Sequence, residues 1–419
     1  MKNIKLDIHD YDLNIKSVVR RIKNHKEISE KNKRTLLKFY DHCAAEGLSK
    51  ARMEYYLNRL SMIARWIKKD FEKASKDDIK NIMRKVNEMP YTEWTKKDYR
   101  VTLKKFYKWL RKIDEKGIYP EEVSWITTTA KKDKQDLPCD LLTEEDISKM
   151  VEAAEHPRDK ALISMLYESG CRVGEIASLR IGDVKFDDYG IVIMVSGKTG
   201  QRRLRLVASV PYLSGWLNIH PEKNNPQAPL WVVIGTSKNI HKSSKKYKLN
   251  WSYNLKYRAV SNMIKNAAKK AGIKKNVYPH LFRHSRATYL ADKLTEAQLK
   301  VIFGWRQSSK MPGVYVHLSG RDVDDAVLNL YGKKKVEQKD QESKLKPIDC
   351  PRCRELNEPH NIYCKRCGWI LDRKASIELE KKRKEAEEIA KELVEDPESL
   401  REIAKAMARL GLVKKLMNV

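Results

Sequence analysis

This sequence predicts a mainly helical chain with one small β-sheet, and three observations predict it. Residues 1–120 read as helical with few strand-like runs, GIVIMVSGKTGQRRLRLVASV alternates in period two, and two C-x2-C pairs stand close together near the carboxyl end. The length leaves room for two or three domains, each with its own core, and a 41% hydrophobic content argues against wholesale disorder.

In chain order, residues 1–120 read as a helical domain, with starts at Ser75-Lys-Asp-Asp78 and Thr92-Glu-Trp-Thr95. Leu103, Phe106, Tyr107 and Leu110 follow i, i+3, i+4, i+7 and form an apolar stripe among lysines. Residues 121–138 lose periodicity and gather threonines and charges, as a linker does. From 139 to 332 helices alternate with short strands: Thr143 to Asp146 is a capping box, Asp159 to Tyr167 a helix, and the alternating stretch a hairpin with Lys198 at its tip. Residues 345–372 hold C-x2-C-x10-C-x2-C, formed by Cys350, Cys353, Cys364 and Cys367. That spacing suits one structural Zn²⁺ with four thiolates and no open position, with an iron site as the alternative. Residues 373–419 read as two amphipathic helices, the second capped by Asp396 and closed by Gly411, with Ile403, Met407 and Leu410 as a narrow seam. Self-association and packing on the ribbon are equally open for that tail.

A formal net charge of +30 points to a polyanionic partner, with nucleic acid the leading candidate. Between Ser196 and Asn276 seventeen Lys and Arg face one acid, Glu222, and Trp251, Tyr253 and Tyr257 lie among them, so this window is expected to track phosphates. The helix within it is expected against the major groove. There is no apolar run of ~18 residues, and MKNIKLDIHD has no apolar signal core, so an intracellular protein without a membrane association is expected. Cys43, Cys139 and Cys171 stand apart from the paired cysteines and are expected to be buried thiols.

The stretch from Pro279 to His317 concentrates the groups suited to a phosphodiester. His280 and Arg283, at i and i+3 after Pro279, share one face of a helix's first turn, where backbone N–H groups also favour an anion. Arg172 opens another helix and offers a second guanidinium, and two arginines on one phosphate would neutralise and orient it. Glu175, three residues on, is either a support for Arg172 or an exposed first-turn carboxylate.

Arg172, Lys198, His280 with Arg283, Trp305 and Tyr315, in that order, resemble the signature of the tyrosine recombinase (phage integrase) family. The contexts LTEEDISKMVEAAE, SGKTGQRRLRLV, PHLFRHSRATYL and GW ahead of VYVHLS carry the same resemblance, over roughly residues 30 to 332. It implies a helical core-binding (SAM-like) domain, a mixed α/β catalytic domain, and a clamp closing on duplex DNA. It also implies a site-specific recombinase or integrase that cleaves and rejoins DNA through a 3′-phosphotyrosyl intermediate, as a tetramer on DNA. Tyr315 is then the nucleophile, Arg172 and Arg283 hold the non-bridging oxygens, and His280 orients them and assists proton removal. Lys198 protonates the departing 5′ oxygen, Trp305 packs against the tyrosine segment, and Glu175 holds Arg172. No ATP and no catalytic metal are needed, because the ester keeps the bond energy. His284 and His317 are expected in core or surface roles. The run SGRDVDDAVLNLYG resembles a tail packed into a neighbouring subunit, with its own domain as the alternative.

The ribbon and lysine-rich composition resemble archaeal integrases, and a cytoplasmic, nucleoid-associated protein is expected. A type IB topoisomerase and a regulator without catalysis are the competing classes. The recombinase-like amino-terminal domain argues against the first, and the full catalytic set against the second.

Overall fold

The computed structural model describes residues 6–129, 140–197, 199–233, 254–316, 331, 343–396, 401 and 405. Five helices, Tyr11–Asn24, Glu30–Ala45, Lys50–Trp66, Lys76–Glu88 and Glu93–Leu110, build the amino-terminal unit. Its start signals act as the sequence predicts: Ser75 and Asp78 cap one helix reciprocally, and Thr92 accepts from the Thr95 backbone N–H. Leu103, Phe106 and Tyr107 are fully buried, while Leu110 packs at the edge of the same cluster. Residues 121–126, read as the start of a linker, carry instead a short helix, Glu121–Ser124, that buries Val123 and Ile126 in this core. A four-residue helix is too short to show a period, so only the burial reveals it.

The second unit centres on helix Pro157–Ser169, all but two of whose apolar and small positions from Ala161 onward are sealed in the largest core cluster. Around it lie helices Glu144–Ala153, Val173–Ile176, Val210–Asn218, Tyr257–Lys270, Pro279–Ala291, Glu296–Phe303 and Met311–Val316. A three-stranded antiparallel meander runs along one side: β1 (Val184–Asp187), β2 (Gly190–Gly197) and β3 (Gly200–Leu206). Gly197 pairs with Gly200 across β2 and β3, the register of a tight hairpin. Ile191, Ile193 and Val195 on β2 and Leu204 and Leu206 on β3 point into the core.

One contact crosses the expected domain map. Ile8 belongs to the core of the second unit, its carbonyl accepts from the Tyr257 backbone N–H, and Lys256 pairs with Asp10. Ile8 and Asp10 therefore pack on the second unit.

The cysteine module pairs β4 (Ile348–Asp349) with β5 (Leu356–Asn357) and rests on the second unit through Leu345, Leu356 and a His360–Glu152 contact of 3.4 Å. Helix Arg373–Glu395 follows and is exposed along nearly its whole length. The second tail helix apart from Asp396, Arg401 and Lys405, the SGRDVDDAVLNLYG helix apart from Tyr331, Lys198, Trp251, Tyr253, Cys139 and His317 lie outside the described residues. Among the described residues no helix is long and apolar enough to cross a membrane.

Candidate active site

Arg172 sits where helix Pro157–Ser169 ends at Gly170 in the left-handed conformation and helix Val173–Ile176 begins. Its backbone N–H donates to Glu175 Oε2 at 3.0 Å and its guanidinium to Oε1 at 3.1 Å. Glu175 is thus a support, not an exposed carboxylate, since it is only 3% exposed. Burial alone would push its carboxyl upward, but Arg202, then the Arg172 backbone bond and charge, override that and hold it down at about 2.

Arg202 lies outside the motif but supports it. Its guanidinium donates to both Glu175 oxygens at 2.7 and 3.2 Å, to the Ile302 carbonyl at 2.9 Å and to Cys171 Sγ at 3.2 Å. One side chain therefore ties β3, the Arg172 turn and the helix Glu296–Phe303 together. A signal was present: on β3 the inward positions are 202, 204 and 206, and an arginine on an inward face requires a partner. The backbone nearby is shaped to admit it. Gly304 has φ +58°, and a Cβ there would lie 2.7 Å from the Arg202 guanidinium. At Gly197 a Cβ would meet Glu175 Oε1 at 2.2 Å.

Arg283 comes from helix Pro279–Ala291, which has Pro279 at its first turn. It is 2% exposed and donates to the carbonyls of Gly170 at 3.0 Å and Phe303 at 2.7 Å, so its guanidinium plane is fixed across two other elements. Burial, then the nearby Arg172, pulls its pKa down to about 10. His280 stands on the exposed side of the same helix yet is held well below its ordinary value by desolvation, then by His284, Arg283 and Arg172, and is neutral at pH 7.

Tyr315, on the short helix Met311–Val316, is 1% exposed and stacks on Trp305, with ring centroids 5.5 Å apart and planes 11° apart. Trp305 in turn stacks on Phe303 at 4.9 Å. The phenol oxygen lies 2.9 Å from His284 Nδ1. His284, expected in a core or surface role, is therefore a site residue, and its i+4 relation to His280 on one helix face was the available signal. Burial raises the Tyr315 pKa against the opposing Arg283 charge.

Arg172, Glu175, His280, Arg283, Trp305 and Tyr315 thus form one cluster. The hairpin turn reaches it as well, because the Thr199 hydroxyl donates to the Gly304 carbonyl at 2.9 Å, although Lys198 beside it lies outside the described residues. Two guanidinium groups, two imidazoles and a stacked phenol converge, a set suited to a tetrahedral anion.

Residues 140–321 match the profile described as the Phage integrase family. That match spans 182 of the 419 residues, so it marks a domain similar to this family rather than the whole chain. The chain is 26% identical over 195 residues to a tyrosine recombinase of Thermosipho africanus (strain TCF52B), covering 46% of this chain and 62% of the relative. Against tyrosine recombinase XerD of Lacticaseibacillus casei it is 28% identical over 230 residues, covering 53% of this chain and 71% of the relative. Against tyrosine recombinase XerA of Pyrococcus furiosus (strain ATCC 43587 / DSM 3638 / JCM 8422 / Vc1) the identity is 26% over 188 residues, covering 44% and 60%. Among solved structures, a XerH site-specific recombinase bound to palindromic difH substrate superposes with TM-score 0.51 at 16% identity, over 78% of this chain and 100% of that one. A lambda integrase tetramer bound to a Holliday junction gives 0.50 at 16% identity, over 69% and 78%. These two likenesses establish a shared fold.

The four cysteines form a second, separate cluster whose sulfurs all lie within 4.8 Å of one another, with Cys350 to Cys367 and Cys353 to Cys364 each at 3.6 Å. Four thiolates around a tetrahedral ion at ~2.3 Å would stand ~3.8 Å apart, so the set fits a metal ion. Each knuckle is closed by backbone bonds, Cys350 N to Glu355 O at 3.0 Å and Cys364 N to Trp369 O at 2.7 Å. Cys43 and Cys171 are buried as expected, and burial pushes both thiols up to about 11.

Proposed function

We propose that this chain is a site-specific DNA recombinase or integrase that cleaves and rejoins duplex DNA through a 3′-phosphotyrosyl intermediate. The observation that carries it is the convergence of Arg172, Arg283, His280 and Trp305 around the phenol of Tyr315, inside a family domain. Arg172, still 38% exposed at its side chain, presents the accessible cation, and Arg283 behind it sets the field. Together they stabilise the charge that shifts onto the non-bridging oxygens in the transition state. Tyr315 Oη attacks phosphorus, the bond to the 5′ oxygen breaks, and Lys198 returns a proton to that oxygen. Reversal by a 5′ hydroxyl of another strand rejoins DNA without ATP or a catalytic metal.

On this reading the amino-terminal helical unit, residues 1–120, clamps the duplex opposite the catalytic unit, the window from Ser196 to Asn276 follows the phosphates, and four copies assemble on DNA in the cytoplasm, at the nucleoid. Cys350, Cys353, Cys364 and Cys367 hold one structural Zn²⁺, which fixes the two knuckles.

The test is a nicked suicide duplex taken from the DNA flanking the gene, resolved on a denaturing gel. Wild type should form a covalent protein–DNA adduct. Tyr315→Phe should bind that duplex equally and form none, and an adduct persisting in Tyr315→Phe would assign the nucleophile to Tyr289 or Tyr331 instead.

A further inference from the structure

The helix that supplies Arg283 also seats a second histidine on the nucleophile. His284 Nδ1 lies 2.9 Å from Tyr315 Oη, inside the ~2.6–3.2 Å window in which a base reaches the proton it takes. Trp305 stacking fixes the plane of the phenol and His284 fixes its oxygen, so two contacts define the position of the attacking atom. His280 meets His284 edge-on with centroids 4.6 Å apart, and among the described residues the side-chain bond to the phenol oxygen comes from His284. The groups facing His284 are His280 and Arg283 from its own helix and Tyr315 from the segment after Trp305; around the phenol stand Arg283 and Tyr278.

We propose that His284, rather than His280, is the catalytic residue that accepts the Tyr315 proton, an inference that rests on the recombinase reading above. Desolvation and the Arg283 charge keep His284 below its ordinary value, so at pH 7 it is neutral. Burial keeps the phenol protonated, so the phenol has a proton to give and Nδ1, with the ring hydrogen on Nε2, has the lone pair to take it. As DNA opens a path to the shielded oxygen, the O–H proton passes to Nδ1, the Oη–P bond forms, and the P–O5′ bond breaks. On rejoining, the imidazolium returns the same proton to the departing phenoxide. His280, whose ring borders His284, is left with orientation of its neighbour and of the phosphate.

The experiment compares the nicked duplex from the flanking DNA with the same duplex carrying a 5′-bridging phosphorothiolate at the cleavage point, whose thiolate leaves without a proton. His284→Phe should bind both duplexes within about twofold of wild type and slow single-turnover adduct formation on both by about 10²-fold at pH 7, the range lost with a general base. Its rate should then climb about tenfold per pH unit from pH 7 to 9, as hydroxide replaces the imidazole, while wild type stays flat. His284→Asn, which keeps an acceptor near Nδ1 but no basic nitrogen, should remain within about tenfold of His284→Phe and confirms that the loss is not one of folding. Three results overturn the proposal: rescue of His284→Phe by the phosphorothiolate, which moves the residue to the leaving-group side; wild-type rates in His284→Asn, which make it a mere orienting acceptor; or faster cleavage in His284→Phe, which makes the bond a resting latch. A wild-type protein that binds both duplexes and forms no adduct with either sinks the recombinase reading itself, and this inference with it.

Discussion

The two helical units bury different things. The amino-terminal unit has an apolar interior from Ile15 to Ile126, where the buried amide of Asn32 is satisfied by the Lys69 carbonyl at 2.7 Å and the Phe71 N–H at 2.8 Å, and its ion pairs lie outside. The second unit takes charge inside: Glu175 is 3% exposed, Arg283 2%, and the Arg202 side chain 9%. The contrast shows where stability and function separate. Apolar area holds the first unit together, whereas the second keeps buried ions whose desolvation roughly cancels their attraction and which fix the orientation of Arg172.

The sharpest break of that contrast is Arg202→Met. It removes the more buried of the two guanidinium partners of Glu175 and the side-chain donor to the Ile302 carbonyl and Cys171. A buried pair broken on one side costs about 3–5 kcal/mol. Amide exchange over Pro157–Ser169 should speed up accordingly while exchange over Lys50–Trp66 is unchanged. Equal protection in both units would show that Glu175 is not held by Arg202.

Acid should separate the units next. Glu175 titrates near 4.5 when unfolded and at about 2 when folded, so its pKa is depressed on folding. Its contribution is present in full above about pH 4.5 and lost as pH falls toward 2, amounting to about 3 kcal/mol at ~1.4 kcal/mol per unit. Glu175→Gln has no such titration. The gap in exchange stability between wild type and Glu175→Gln over Pro157–Ser169 should therefore shrink between pH 5 and 2, and a constant gap would mean that the carboxylate is not the ionised form.

What could be read from the sequence follows the same division. Caps at Ser75, Thr92 and Thr143, the hairpin turn after Gly197 and the cysteine spacing are local, each decided within a dozen residues, and the structure reproduces them. Arg172, His280, Arg283, Trp305 and Tyr315 were legible as a motif, and the fold brings them together. Arg202 and His284 were not assigned, because their roles are set by Ile302, 100 positions away from Arg202, and Tyr315, 31 away from His284. Ile8 in the catalytic core and the packed helix after Pro120 escaped for the same reason: a lone apolar residue has no period.

The smallest effect completes the comparison from the other side. Lys105 Nζ lies 2.8 Å from Glu46 Oε2, an ion pair of the amino-terminal unit with both side chains about one-third exposed, at 33% and 34%. Water and salt screen it, and holding two long side chains in place offsets most of the attraction, so such pairs contribute about 0.2–1 kcal/mol. Lys105→Ala should therefore shift exchange over Lys50–Trp66 by less than about fivefold, and raising salt to about 1 M should erase the difference from wild type. The same salt should leave Arg202→Met as damaging as before, because its pair is sealed from the solvent ions. A Lys105→Ala effect as large as that of Arg202→Met, and insensitive to salt, would mean that the amino-terminal unit also depends on its charges and that the division between the two interiors is wrong.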